Sequence, residues 1–177
     1  MKKALKVVLI ALAVAVAAVL GLAATKPDSF SVQRSASMKA PPEKIAAVLS
    51  DFRAWEAWSP WEKVDPKMKR SFSGEPRGKG AKYAWAGNSE VGEGSMTITE
   101  AQATRVALDL DFVKPFEGHN KVVFTLAPKG EATEVTWNMT GPSPYITKVI
   151  QVFCDMDGMI GQQFESGLAS LKAITEK

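Results

Sequence analysis

The sequence predicts an α+β domain, an antiparallel sheet received by a long C-terminal helix, with an apolar segment ahead of it. Three observations predict this. From Val7 to Ala24 the chain reads VVLIALAVAVAAVLGLAA, with no charged or polar side chain. Between Lys69 and Thr140, short stretches alternate apolar and polar residues and are separated by glycine-bearing turns, the pattern of strands in series. From Ile146 to Ile174, apolar residues recur at helical intervals. With 46% apolar and 23% charged residues in 177 positions, the composition is that of one globular domain. The expected boundaries are residues 1–25 for the apolar segment and 26–177 for the domain.

The N-terminal run, at ~1.5 Å per helical residue, reaches about 27 Å, close to the hydrocarbon thickness of a bilayer. It is longer than a usual signal-peptide core of roughly 7–15 residues, which favours an uncleaved anchor through residues 7–24; Gly21 and Ala23 leave a cleaved signal open. Lys2, Lys3 and Lys6 precede the run, so the positive-inside rule keeps the short tail in the cytoplasm and sends the domain across. In a bacterial cell that means an inner-membrane anchor with the domain in the periplasm or outside, or a secreted domain after cleavage.

Beyond the KPDS spacer, FSVQRSASM (30–38) alternates with Phe30, Val32, Ala36 and Met38 on one face, as a half-buried strand does. Pro41 and Pro42 end it and open a helix with Ile45, Val48, Leu49 and Phe52 at helical spacing. KRSFSG, AKYAWAG, EVGEGSMTITE, TRVALDLDF, NKVVFTLAP and TEVTWNMTG are the strands that follow. Their alternation builds one dry face from Tyr83, Trp85, Met96, Ile98, Val106, Leu108, Leu110, Phe112, Val122, Phe124, Leu126, Val135, Trp137 and Met139. Lys82, Glu93, Thr97, Asp109, Asp111, Lys121, Thr125, Glu134 and Thr136 take the wet face. After GPSP a single helix, with a bend permitted at Gly158, Gly161 or Gly167, is expected to lay Phe153, Met156, Ile160, Phe164, Leu168 and Leu171 on that dry face.

Composition excludes several chemistries. The three N-terminal lysines account for the whole net charge of +3, leaving a neutral body without the basic patch that nucleic-acid binding needs. Cys154 is the sole cysteine and His119 the sole histidine, so neither a disulfide nor a histidine or thiolate metal site is expected, and no cofactor is implied. Cys154, in the apolar run IQVFCDM, reads as a buried packing residue. His119 reads as a surface histidine, and Asp109 and Asp111 as solvated carboxylates. The glycines of GEPRGKG read as a hairpin turn, since no Ser or Thr follows Lys79 as a phosphate loop requires.

The order of elements over residues 29–176 resembles the helix-grip fold of the START-like (SRPBCC) superfamily, a curved antiparallel sheet wrapped around its last helix. RSASMKAPPEKIAAVLSDFRAWEAWSPW, DPKMKRSFSGEPRGKGAKYAWAGN and MDGMIGQQFESGLASLKA resemble its bacterial polyketide cyclase/dehydrase and lipid-transport branch. The resemblance implies a cavity between sheet and helix for a hydrophobic, lipid-like or polyketide-like molecule. Its expected lining is Arg34, Trp58, Trp61, Tyr83, Trp85, Met96, Leu108, Leu110, Phe112, Phe124, Trp137, Met139, Phe153, Met156, Ile160 and Phe164. Burying about 300 Å² of apolar ligand at ~25 cal/mol/Å² stabilises a complex by roughly 7 kcal/mol before association costs.

Three features carry two readings each. DFRAWEAWSPWEK places Trp55, Trp58 and Trp61 three apart, either as a plug in the core or as the mouth of the cavity. Arg34 alternates onto the face of Val32 and Ala36, where it either snorkels outward or orients a ligand carboxylate. Met96, Met139, Met156 and Met159 are plain core or an adaptable wall. The leading expectation is a membrane-tethered, outward-facing binding protein. The alternatives are a cyclase/dehydrase-like enzyme recruiting Arg34, Tyr83 or His119, and an envelope co-chaperone-like interaction domain with a filled core.

Overall fold

The computed structural model describes residues 2–177; Met1, the first residue of the expected 1–25 segment, lies outside them. The elements run α1 (Lys2–Ala24), β1 (Ser29–Met38), α2 (Pro42–Leu49), a 3-10 turn (Phe52–Ala57), α3 (Trp61–Val64), β2 (Lys69–Gly74), β3 (Ala81–Ala86), β4 (Glu93–Gln102), β5 (Arg105–Lys114), β6 (Gly118–Lys129), β7 (Ala132–Pro142), α4 (Tyr145–Phe153) and α5 (Met156–Thr175). Their contacts divide the chain into two units. One holds the residues up to Phe30 together with Pro142–Met156; the other holds Ser31–Gly141 and Asp157–Lys177.

The larger unit is built on a curved seven-stranded antiparallel sheet in the order β1-β7-β6-β5-β4-β3-β2. From β3 to β7 each strand pairs with the one before it, because the connections are too short for anything but hairpins. The β2–β3 turn contains Gly78 and Gly80 at φ of +76° and +93°, a left-handed backbone that glycine adopts without steric cost, as the GEPRGKG reading expects. Register breaks at Glu93/Gly94 and Ile98/Glu100 put bulges into β4 against β5, which bend the sheet. β1 closes the opposite edge on β7, tied by the Ser35 and Thr136 hydroxyls at 2.9 Å and by Asn138 Nδ2 donating to Ser31 Oγ at 3.0 Å.

The expected alternation holds along the strands. Tyr83, Trp85, Met96, Ile98, Val106, Leu108, Val122, Phe124, Leu126, Val135, Trp137 and Met139 are buried. Leu110 and Phe112, towards the far end of β5, are half-buried. α5 presents Phe164, Leu168 and Leu171, at i, i+4 and i+7, all at most 1% exposed. Gly167 makes that approach possible: a Cβ there would stand 2.8 Å from Trp137 Cζ3 and 3.1 Å from Pro60 Cδ.

The smaller unit pairs α1 with α4. α1 is long and apolar enough, by length and composition, to cross a membrane, with a mean hydropathy of 2.9 over its most apolar 18 residues. Tyr145 Oη donates to the Leu20 carbonyl at 2.7 Å, and Lys148 Nζ donates to Asp28 Oδ1 at 2.5 Å.

The single C-terminal helix expected from periodicity is two helices. The break falls at Cys154, whose backbone is extended at φ −121°, ψ 132°, and not at a glycine. In one unbroken helix Ile146, Ile150 and Phe153 would continue the stripe of Phe164, Leu168 and Leu171. The two stripes meet different surroundings, the first exposed and the second buried, and a break is what permits that. Cys154, expected to be buried, is exposed at the break.

Candidate functional site

The dry face of the sheet, the 3-10 turn, α3 and α5 gather aromatic side chains into a continuous band. Spacing by three suits the 3-10 turn, which has three residues per turn, and it sets Phe52 edge-on to Trp55 at a ring separation of 5.2 Å. Trp58 closes the turn and Pro60 then starts α3 at Trp61. The three tryptophans therefore lie on successive short elements. Trp55 and Trp58 are 4% and 0% exposed, filling the core, whereas Trp61 is half-buried.

Register brings the band together. Phe124 on β6 faces Trp137 on β7 across the ladder, with ring centroids 4.9 Å apart. Trp58 packs edge-on against both, at 6.1 and 5.5 Å. Trp137 stacks flat on Phe164 of α5 at 4.1 Å and 7°, and Trp61 meets the edge of that stack at 5.8 and 6.1 Å. Through Phe52 the band continues to Tyr83, Trp85 and Phe112. Gly94 lies under Trp85, where a Cβ would come within 2.6 Å of the indole.

Two buried polar atoms in this band have no partner. The indole Nε1 atoms of Trp58 and Trp137 are buried with no acceptor within hydrogen-bonding distance. Trp55 and Trp85 differ, their Nε1 atoms donating to the carbonyls of Leu49 and Val91 at 3.0 Å each. An orphaned buried N–H costs ~1–3 kcal/mol, which singles out these two adjacent rings.

Of the expected lining, Trp58, Trp61, Phe124, Trp137 and Phe164 meet in the centre of the band, and Tyr83, Trp85 and Phe112 meet at one end. Met96, Leu108 and Met139 are buried on the same sheet face, Met96 opposite both Tyr83 and Leu110. Ile160 is half-buried on α5. Met156 is half-buried in the unit that holds α4, and Phe153, also in that unit, is 71% exposed and outside the band.

The polar candidates lie in three separate clusters. Arg34 spreads over Gly161 of α5, its Nε bonded to Glu165 Oε1 at 2.9 Å and its Nη2 to Asp157 Oδ2 at 3.0 Å. The hydrogen bonds to Asp157 and Glu165 hold its pKa above the ordinary guanidinium value. Tyr83 Oη donates to Glu62 Oε1 at 2.6 Å; burial first, and the Glu62 carboxylate second, push its pKa far above that of a free phenol. His119 Nδ1 is 2.7 Å from Asp111 Oδ1 on the neighbouring strand, and that bond raises the imidazole pKa.

Glu62 is the polar residue that sequence reasoning missed. It is 8% exposed and also receives Arg70 Nε at 2.7 Å, so a carboxylate is held inside by a guanidinium and a phenol. Nothing in WEKV marks it out, because a glutamate in a short helix ordinarily faces water. A cleft of about 160 Å³ opens elsewhere, between Phe52, Arg53, Phe72 and the β2–β3 turn.

The family model described as polyketide cyclase/dehydrase and lipid transport matches residues 29–176. Among solved structures, protein CV1439 from Chromobacterium violaceum matches at a TM-score of 0.59 and 17% identity, covering 86% of this chain and 99% of that one. The Aha1 dimer from Colwellia psychrerythraea matches at 0.59 and 17%, over 83% and 96%. CalU16 from Micromonospora echinospora matches at 0.56 and 17%, over 82% and 74%. At these identities the likeness is one of fold. Among curated proteins none matches.

Proposed function

This chain belongs to the polyketide cyclase/dehydrase and lipid-transport family, and we propose that it is a membrane-tethered, outward-facing protein that binds a hydrophobic small molecule between its sheet and α5. The observation that carries this reading is the pair of buried indole donors, Trp58 and Trp137, lacking acceptors. A guest of mostly apolar carbon bearing an ester, carbonyl or hydroxyl oxygen would accept from them and recover the desolvation cost. That favours lipid-like and polyketide-like molecules over pure hydrocarbons. Trp61, half-buried at the edge of the Trp137–Phe164 stack, suits the mouth of such a site. Lys2, Lys3 and Lys6 ahead of the apolar run support a cytoplasmic N-terminus and a domain on the far side, periplasmic or outside the cell.

A second reading rests on a different observation. The rings of the aromatic band pack directly on one another, Trp137 flat on Phe164 at 4.1 Å, as they do in a core closed by its own side chains. A filled interior fits an interaction domain that works through its outer surface.

Native mass spectrometry of the full chain, extracted from its own cells in mild detergent, separates the two. Binding predicts a co-purifying lipid-sized adduct that is lost in the Trp58→Phe/Trp137→Phe variant, which keeps ring packing but removes both donors. Protein that is repeatedly empty, and whose tryptophan emission ignores added fatty acid, overturns binding in favour of the filled core.

A further inference from the structure

α4 is amphipathic in the inverted sense. Ile146, Ile150 and Phe153, at i, i+4 and i+7, lie on one face and are 60%, 40% and 71% exposed. Its only charged side chain, Lys148, points the other way; it is 8% exposed and tied to Asp28 Oδ1 at 2.5 Å. A helix bathed in water would turn the lysine out and the isoleucines in. This arrangement fits surroundings that are themselves apolar.

Its neighbour supplies the identity of those surroundings. α4 packs in the same unit as α1, and Tyr145, the first residue of α4, bonds through its hydroxyl to the carbonyl of Leu20. Leu20 lies in the last turn of α1, about 6 Å of helix before Ala24. Asp28, just beyond α1, holds both the Ser143 N–H through its carbonyl, at 2.7 Å, and Lys148 through its side chain. Where α1 spans a bilayer, these bonds fix the start of α4 within the ~5–10 Å boundary between headgroups and acyl chains, the depth at which interfacial helices bury an apolar face and tyrosines collect.

We infer that α4 is an interfacial helix, its Ile146–Ile150–Phe153 face seated in the lipid of the leaflet where α1 ends. The inference rests on the tether reading given above. It makes the protein's hold on the membrane two-part, one helix through the bilayer and one along it.

The test uses the full chain in phosphatidylcholine/phosphatidylglycerol vesicles with an NBD fluorophore on the native thiol of Cys154, which is exposed next to Phe153. Two reference probes, each in a Cys154→Ser background, sit at Leu9→Cys in α1 and at Ser89→Cys in the β3–β4 turn. The Cys154 probe is expected to emit blue of the Ser89→Cys probe and to be quenched by a shallow nitroxide lipid more than by aqueous iodide. Ile150→Glu/Phe153→Glu is expected to return it to water-like emission while the Leu9→Cys probe stays deep. Water-like emission at Cys154 with a deep Leu9→Cys probe overturns the interfacial helix and leaves the tether standing. Water-like emission at Leu9→Cys overturns both.

Discussion

α4 and α5 share a sequence pattern and differ in what they do with it. Both carry apolar residues at i, i+4 and i+7, yet Phe153 is 71% exposed and Phe164 1%. Each is fastened by a cation to a carboxylate, Lys148 to Asp28 in one unit and Arg34 to Asp157 and Glu165 in the other. In α4 the charge is inside and the apolar face outside; in α5 the apolar face is inside and the acids, 59% and 62% exposed, are near the surface. Helical periodicity therefore marks a stripe without saying what the stripe meets. Only the partner decides: α5 meets the sheet within the larger unit, and α4 meets α1 within the smaller.

The largest effect that separates the two is deletion of the equivalent ring. Phe164→Ala removes the partner stacked on Trp137 and is expected to cost ~3–5 kcal/mol, whereas Phe153→Ala should stay within ~0.5 kcal/mol. Urea titration of tryptophan emission in mild detergent measures both, and equal losses would break the contrast.

A smaller effect tests how closely α5 is fitted to β1. At Gly161 a Cβ would stand 2.0 Å from Arg34 Nη2, so alanine displaces a guanidinium that holds two acids. Gly161→Ala should destabilise the native protein. In an Arg34→Ala background the same change should instead yield the ~1 kcal/mol helix-propensity gain of alanine over glycine. A double-mutant cycle reads the reversal, and an unchanged sign would show that Arg34 does not constrain the helix.

Smaller still is the local tie of α4. Lys148→Ala cuts the bond to Asp28 and is expected to speed amide hydrogen exchange in Tyr145–Phe153 while Met156–Thr175 stays protected. Acceleration spread equally over both helices would mean that they open as one.

The smallest effect concerns pH. The hydrogen bond and charge of Lys148 lower the pKa of Asp28 below its ordinary 3.8. A carboxylate with a depressed folded-state pKa contributes stability above the unfolded value and loses it as pH falls through the folded one. α4 should therefore loosen only in that acid range, ahead of α5. An NMR titration of the Asp28 carboxyl, repeated in Lys148→Ala, should show the midpoint move back up.

Much of the fold was legible because strand alternation and turn glycines are local signals. Val106-Leu108, Val122-Phe124-Leu126 and Val135-Trp137-Met139 are buried as their spacing predicts, and the β2–β3 turn takes the glycine conformations its sequence implies. The side of β1 that carries Arg34 was readable in the same way, since it alternates with Val32 and Met38. Its partners were not, being more than 120 positions away on another element. Glu62 was illegible for the same reason: burial of a carboxylate depends on Arg70 and Tyr83 arriving from β2 and β3. Cys154 misled because its apolar neighbours imply a helix interior, whereas the chain breaks there.

By itself the sequence determined the strands and their antiparallel character, the inward face of the core strands and an apolar helix long enough to cross a bilayer, because all of these follow from periodicity and chain length. The tertiary structure decided which of two similar helices is covered, which carboxylate is interior, and which two indole N–H groups are buried without an acceptor. Those outcomes depend on groups distant in the chain meeting at ångström range, and no pattern of neighbours along the chain encodes such a meeting.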